Sequence, residues 1–227
     1  MKSRNYQSKR LSLHNHRFKC IENTSNKKRQ KSAIFFDRDG VLIDDVHYIS
    51  NPLDVKILSG VRDLLRISNK AGWLNIVLTN QSGISKGILD WDDYEKITHQ
   101  MLNLLGDECY IDAIYANSTP SSEVFLKNSW RKPSPNMIFE AVKDFNINLN
   151  NSFLIGDRLT DLLSAKNAGL KNFIHVLTGH GEEERVNILN DFRESYEKNE
   201  LIFMKNLSDF KALNRKNNNF IKFPFRN

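Results

Sequence analysis

The sequence predicts an α/β protein with a Rossmann-like parallel sheet and helices on both faces. Three observations carry that expectation. Short apolar runs alternate with stretches whose apolar residues recur at helical spacing. The runs are apolar on successive residues, as strands covered on both faces must be. Four of them end abruptly in polar residues suited to chemistry, the arrangement expected where strand carboxyl ends open on a ligand crevice.

The first run, Ile34-Phe35-Phe36, stops at Asp37-Arg38-Asp39-Gly40. Two carboxylates one residue apart suit the gripping of a hard divalent cation through oxygen. They equally suit a capped turn in which Gly40 takes a positive φ. A polar loop, Asp44 to Pro52, follows, and Ser59-Gly60 opens a helix through Val61, Leu64, Leu65 and Ile67 that ends at Gly72. Trp73 to Leu78 predicts a second strand, ending in Thr79-Asn80-Gln81-Ser82, and Asp90 caps a helix reaching Leu105. Ile111 to Ala116 is a third strand. An irregular stretch, Asn117 to Ser129, leads into Trp130-Arg131-Lys132-Pro133 and a helix from Pro135 to Phe145. Ser152 to Ile155 is a fourth strand, ending at Gly156-Asp157-Arg158 with Asp161 close behind, and a helix runs from Thr160 to Ala168. Phe173 to Leu177 and Leu201 to Met204 complete the strands. A charged helix over 182–198 lies between these last two, and a short one runs from Leu207 to Leu213.

Charge divides the 227-residue chain into three expected parts. Residues 1–31 hold ten Lys and Arg against one acid, Glu22, and read as a flexible basic arm. Residues 214–227 carry four Lys and Arg and no acid, a basic tail, while the body over 32–213 has 19 basic and 26 acidic residues. The overall charge of +6 therefore belongs to the tails. Such tails suit an anionic partner, nucleic acid included, or simply solvation, and solvation is favoured. Cys20 and Cys109 are the only cysteines and form no disulfide framework. No apolar stretch reaches membrane-spanning length and no secretory leader is visible, so the expected compartment is the cytoplasm.

The four strand-end stretches, in this order, resemble the haloacid dehalogenase (HAD) superfamily of phosphoryl-transfer enzymes. The strings FFDRDGVLIDDVHYI (35–49), VLTNQSGISKG (77–87), WRKPSPNM (130–137) and IGDRLTDLLSAKNAGL (155–170) resemble its heptose 1,7-bisphosphate 7-phosphatase branch, with histidinol phosphatase close by. The resemblance implies that Asp37 attacks phosphorus to form an aspartyl-phosphate and that Asp39 carries the leaving-group and water protons. It implies Mg²⁺ held by the Asp37 side chain, the Asp39 carbonyl and Asp157. Thr79, Lys132 and the Asn80–Gln81–Ser82 turn would bind the transferring phosphoryl group. Arg131 and Arg158 would touch the substrate beyond it, and Asp45, Val46, His47 and Tyr48 would form a substrate loop. The expected partner is a small phosphorylated sugar acted on by a monomer.

Branch members often hold zinc through Cys and His in the loop before Arg-Lys-Pro. Here 117–129 contains neither residue, so no zinc is expected, and Phe125 and Trp130 are the available anchors for that loop. Only 42 residues separate Asp37 from Thr79 and 53 separate Thr79 from Lys132, which leaves no room for a cap domain. An open site leaves three enzyme readings: sugar-phosphate phosphatase first, then histidinol phosphatase or polynucleotide 3′-phosphatase. A nucleic-acid-binding protein working through its tails is the alternative from another class.

Overall fold

The computed structural model describes residues 6–11, 16–22, 30–123 and 128–211. Eight strands run in chain order: β1 (Tyr6–Leu11), β2 (Arg17–Glu22), β3 (Ala33–Phe36), β4 (Leu74–Asn80), β5 (Ala113–Asn117), β6 (Phe153–Gly156), β7 (Asn172–Val176) and β8 (Leu201–Met204). The helices are α1 (Val61–Ala71), α2 (Ser82–Ser85), α3 (Trp91–Leu105), α4 (Asn136–Phe145), α5 (Leu159–Ala168), α6 (Gly181–Asp191) and α7 (Arg193–Glu197). The strands form one sheet in the order β1-β2-β5-β4-β3-β6-β7-β8. From β5 to β8 every pairing is parallel.

Residues alternate between two apolar layers, which is why the strands read as continuous apolar runs. Ile34 and Phe36 face the layer completed by Val61 and Leu65 of α1 and by Tyr94, Ile97 and Met101 of α3. Ala33 and Phe35 face the opposite layer, completed by Met137 and Ala141 of α4 and by Leu162 and Ala165 of α5. All four β3 side chains are fully buried. The N-cap expected at Asp90 is present, its carboxylate accepting from the Asp93 N–H while Asp93 accepts from the Asp90 N–H.

The helix expected over 182–198 divides into α6 and α7 at Phe192, which is buried edge-on to Phe173. The one expected over Leu207 to Leu213 opens as a 3₁₀ turn, Leu207–Asp209, and is helical at Phe210 and Lys211, its expected end lying outside the described residues. The tail 214–227 lies outside the described residues.

The flexible arm expected over 1–31 needs correction. Strands β1 and β2 pair with each other antiparallel, and β2 extends the sheet along β5. The reason is an alternation hidden by charge. Phe18 and Cys20 are buried, Phe18 stacking on Trp91 at 5.6 Å and meeting Tyr94 edge-on at 5.1 Å. On the opposite face Lys19 pairs with Glu140 at 2.8 Å and with Asp144 at 2.5 Å. Arg17 lies over the Trp130 ring, itself buried against Tyr115. Trp130 is thus an anchor of its loop, as expected, whereas Phe125 lies outside the described residues. A body starting at residue 32 would leave that apolar surface uncovered. Phe18→Ala should therefore cost about 3 kcal/mol and lower the thermal midpoint by about 8 °C. A midpoint within a degree of wild type would mean that β2 is dispensable.

Candidate active site

The sheet order places β3 at the centre, with β4 on one side and β6 on the other. The chain runs outward from β3 through β4 to β5 and returns to the other flank at β6, so the crevice of an open α/β sheet falls at the end of β3. Register completes the arrangement: Phe36 pairs with both Val77 and Ile155. The residues that follow, Asp37, Thr79 and Asp157, therefore emerge at nearly one level. A cleft of about 540 Å³ opens there, lined by Asp37, Asp39, Gln81, Lys132 and both Arg131 and Arg158.

Lys132 lies at the base of the cleft and is 3 % exposed. Its Nζ donates to Asp37 Oδ1 at 2.8 Å and to the Leu78 carbonyl at 2.8 Å, and it pairs with Asp161 Oδ1 at 2.6 Å. Two of the ammonium's protons thus go to Asp37 and Leu78, and Asp161 adds a close opposite charge. Burial works against that charge, but Asp161 and Asp37 outweigh it and hold the Lys132 pKa above its usual value. The Asn80 amide fixes the backbone beside it: Oδ1 accepts from the Lys132 N–H and Nδ2 donates to the Lys132 carbonyl. Asn80, expected to work through its backbone, also holds Lys132 through its side chain.

Asp37, Asp157 and Asp161 bring carboxylate oxygens within 4.8 Å of one another. Burial pushes the Asp37 carboxyl up to about 7, against the pull of Lys132 and with the repulsion of Asp161 and Asp39. Burial, together with Asp161 and Asp37, pushes Asp157 up to about 9. Three carboxylates facing one ammonium leave an excess of two negative charges when all are ionised, a costly state away from water. Asp157 Oδ2 accepts from the His180 N–H at 2.8 Å, but its buried Oδ1 has no hydrogen-bond partner. An oxygen-preferring divalent cation such as Mg²⁺ would remove the excess and satisfy that atom. The donor set fits it. Gly40 makes the approach possible: its φ is +78°, and a Cβ there would lie 2.6 Å from Asp157 Oδ2.

Asp39 stands at the rim of this cluster. Arg38, 1 % exposed, donates Nε to Asp39 Oδ2 at 3.1 Å and Nη2 to Asp39 Oδ1 at 3.0 Å. The Gln81 amide closes the circuit, accepting from Arg38 Nη2 and donating to Asp39 Oδ2 and Thr79 Oγ1.

The expected substrate loop reaches the mouth of the cleft through Asp45, His47 and Tyr48, with His47 and Tyr48 both at positive φ. The exception is Val46, which is 42 % exposed and takes no part in the lining. Tyr48 accepts from Lys86 Nζ, and that hydrogen bond lowers the phenol pKa. Burial and then the neighbouring Arg158 depress the pKa of Arg131, placing two guanidinium groups on one wall. Thr79 is buried behind Gln81 and Asp157 behind Gly40, so neither lines the cleft directly.

Three contributors had no role assigned from the sequence. Asp161 is the partner of Lys132 and also accepts from the Arg158 N–H. Its placement at the first turn of α5, four residues after Asp157, was the available signal. Arg38 lay unremarked between the two aspartates. His180, whose Nε2 lies 3.2 Å from Asp45 Oδ2, comes from the loop after β7 and has no local motif to announce it.

By its relatives the chain is a phosphoric monoester hydrolase of the HAD-like class. The HAD-hydrolase-like family model matches residues 129–196. The D-glycero-beta-D-manno-heptose-1,7-bisphosphate 7-phosphatase of Pasteurella multocida is 35 % identical over 153 residues, covering 66 % of this chain and 83 % of that one. The enzyme of the same name from Haemophilus ducreyi is 36 % identical, covering 70 % of this chain and 93 % of that one. The D,D-heptose 1,7-bisphosphate phosphatase of B. bronchiseptica, solved with magnesium and phosphate, superposes with a TM-score of 0.70 at 24 % identity, covering 82 % of this chain and 99 % of that one. The chain belongs to the heptose-1,7-bisphosphate 7-phosphatase family of HAD-like hydrolases.

Cation binding is testable without turnover. Saturating MgCl₂ should raise the thermal midpoint, by about 2.7 kcal/mol of stability at a hundredfold excess over Kd. Asp157→Asn should remove most of that rise, and an undiminished rise would place the cation elsewhere. The metal-free protein should lose stability as pH climbs above the ordinary carboxyl range, the loss levelling off at about 7 for Asp37 and about 9 for Asp157, where each ionises in the folded state. The sign follows because both carboxyls hold their protons more tightly folded than unfolded.

Proposed function

We propose that this chain is a Mg²⁺-dependent phosphatase that removes the 7-phosphate of D-glycero-D-manno-heptose 1,7-bisphosphate through an aspartyl-phosphate on Asp37. The observation that carries the reading is Asp37 itself, held by Lys132 at the base of an open cleft whose outer wall bears two arginines. The Asp37 side chain, the Asp39 carbonyl and Asp157 would hold Mg²⁺, which would supply positive charge toward the phosphoryl oxygens.

The residues of the chain supply the rest. The Asp37 carboxylate forms a bond to phosphorus as the ester P–O bond breaks, its electron pair leaving on the sugar oxygen. Asp39 gives that oxygen a proton. Asp39 then takes a proton from water as the water oxygen attacks phosphorus, releasing inorganic phosphate and the Asp37 carboxylate. Thr79, Lys132 and the Asn80–Gln81–Ser82 turn bind the phosphoryl oxygens. Asp45, His47 and Tyr48 border the sugar, while Val46 of the same loop is exposed outside the cleft lining. The enzyme works as a cytoplasmic monomer without zinc. Elemental analysis of purified protein should return no stoichiometric zinc, and one zinc per chain would refute that part.

Arg131 and Arg158 decide the substrate class. Guanidinium groups suit a second phosphate and disfavour the cationic amine of histidinol phosphate. The heptose bisphosphate should therefore be hydrolysed with kcat/KM at least about tenfold above histidinol phosphate, a discrimination of about 1.4 kcal/mol. Arg131→Ala should shrink that ratio. Equal or better turnover of histidinol phosphate, or of a 3′-phosphorylated oligonucleotide, would overturn the substrate assignment. Asp37→Asn should lower kcat by at least about a thousandfold, about 4 kcal/mol, and a tenth of wild-type activity would rule out the covalent route.

A further inference from the structure

Arg38 is a fully buried arginine in a small polar network. Its guanidinium lies over the Tyr94 ring at 5.0 Å, and three of its donated hydrogen bonds go to just two side chains, Asp39 and Gln81. A buried guanidinium that served stability alone would be a poor choice, since an apolar residue of similar volume usually does as well. What the arrangement does supply is a fixed orientation. Both Asp39 oxygens accept from the Arg38 fork, and Gln81 Nε2 adds a second bond to Oδ2. The Gln81 amide can be placed only one way round: its oxygen faces Arg38 Nη2, and its two N–H groups face Asp39 and Thr79.

We propose that Arg38, acting with Gln81, is the positioning residue for Asp39, fixing the carboxylate at the angle needed for proton transfer to the leaving oxygen. The inference rests on the proton role assigned to Asp39 above. Arg38 touches the cleft wall but is 1 % exposed, with its fork turned to Asp39, and acts through that neighbour. The fork geometry is the working feature, because a lysine in its place would keep the charge and lose the pair of parallel bonds.

A poor leaving group needs the proton from Asp39, whereas p-nitrophenolate leaves with little help. That difference separates positioning from a general structural role. The test compares Arg38→Met and Arg38→Lys with wild type on heptose 1,7-bisphosphate and on p-nitrophenyl phosphate, in the full-length Mg²⁺-loaded enzyme. Because hydrolysis of the aspartyl-phosphate is common to both esters, the comparison is made in kcat/KM. Arg38→Met should lose at least about tenfold more kcat/KM on the sugar ester than on the aryl ester, and Arg38→Lys should fall between it and wild type. In an Asp39→Asn background, Arg38→Met should cost almost nothing further on the sugar ester, because its effect runs through Asp39. Equal losses of kcat/KM on both esters, or full additivity with Asp39→Asn, would overturn the proposal. Should Arg38→Met fail to fold, Arg38→Lys and Gln81→Leu carry the same comparison. A wild type that cleaves the aryl ester and ignores the heptose bisphosphate would defeat the substrate reading alone. The comparison would then run on glycerol 3-phosphate, another alkyl ester: a larger loss there than on the aryl ester supports positioning, and equal losses overturn it.

Discussion

One buried ammonium holds the site together. Lys132 joins Asp37 at the end of β3 to Asp161 on α5, and it also donates to the Leu78 carbonyl on β4. Three separate elements therefore meet at a single charge. Removing it would leave three carboxylates facing one another in a poorly solvated place, a change of the kind that costs several kcal/mol. The same ion pairs set the chemistry. They hold one Asp37 oxygen, and with all three carboxylates ionised the cluster would carry two negative charges in excess, which a divalent cation would offset.

The sheet makes that meeting possible. Parallel strands in register bring Asp37, Thr79 and Asp157 to one edge, and Gly40 allows two backbone loops and a carboxylate to share very little space. A Cβ on Gly156 would fall 2.4 Å from the Asp161 Cβ, so the same economy recurs beneath α5. The antiparallel extension by β2 serves a different end. It closes the flank of β5 with Phe18 and ties α4 to the sheet through Lys19, and so sits away from the cleft while supporting the layer that contains Tyr94.

Most of this was legible in the sequence, because buried parallel strands write themselves as apolar runs and their ends as polar breaks. Asp37 and Asp157 stand out that way, whereas Lys132, in the loop between β5 and α4 rather than at a strand end, was found through the string Trp-Arg-Lys-Pro. What stayed hidden had other causes. Phe18 and Cys20 alternate with Arg17, Lys19 and Ile21, a strand pattern, but ten basic residues around them gave the segment the composition of a loose arm. Asp161 looked like an ordinary acid in the first turn of a helix, and only the fold shows it turned inward to Lys132. Arg38 could be assigned no partner until Gln81, 43 residues away, was placed beside it. Long-range polar networks of this kind leave no periodic trace.

Everything proposed for the chemistry depends on Asp37 as the nucleophile in a cation-neutralised cluster. Its most direct test is to quench a single turnover in acid within milliseconds and sequence the peptides by mass spectrometry. A phosphoryl group should be found on Asp37, present with Mg²⁺ and absent after chelation. Phosphate on another residue, or product formed with no phosphoryl-enzyme at any quench time, would contradict that assignment.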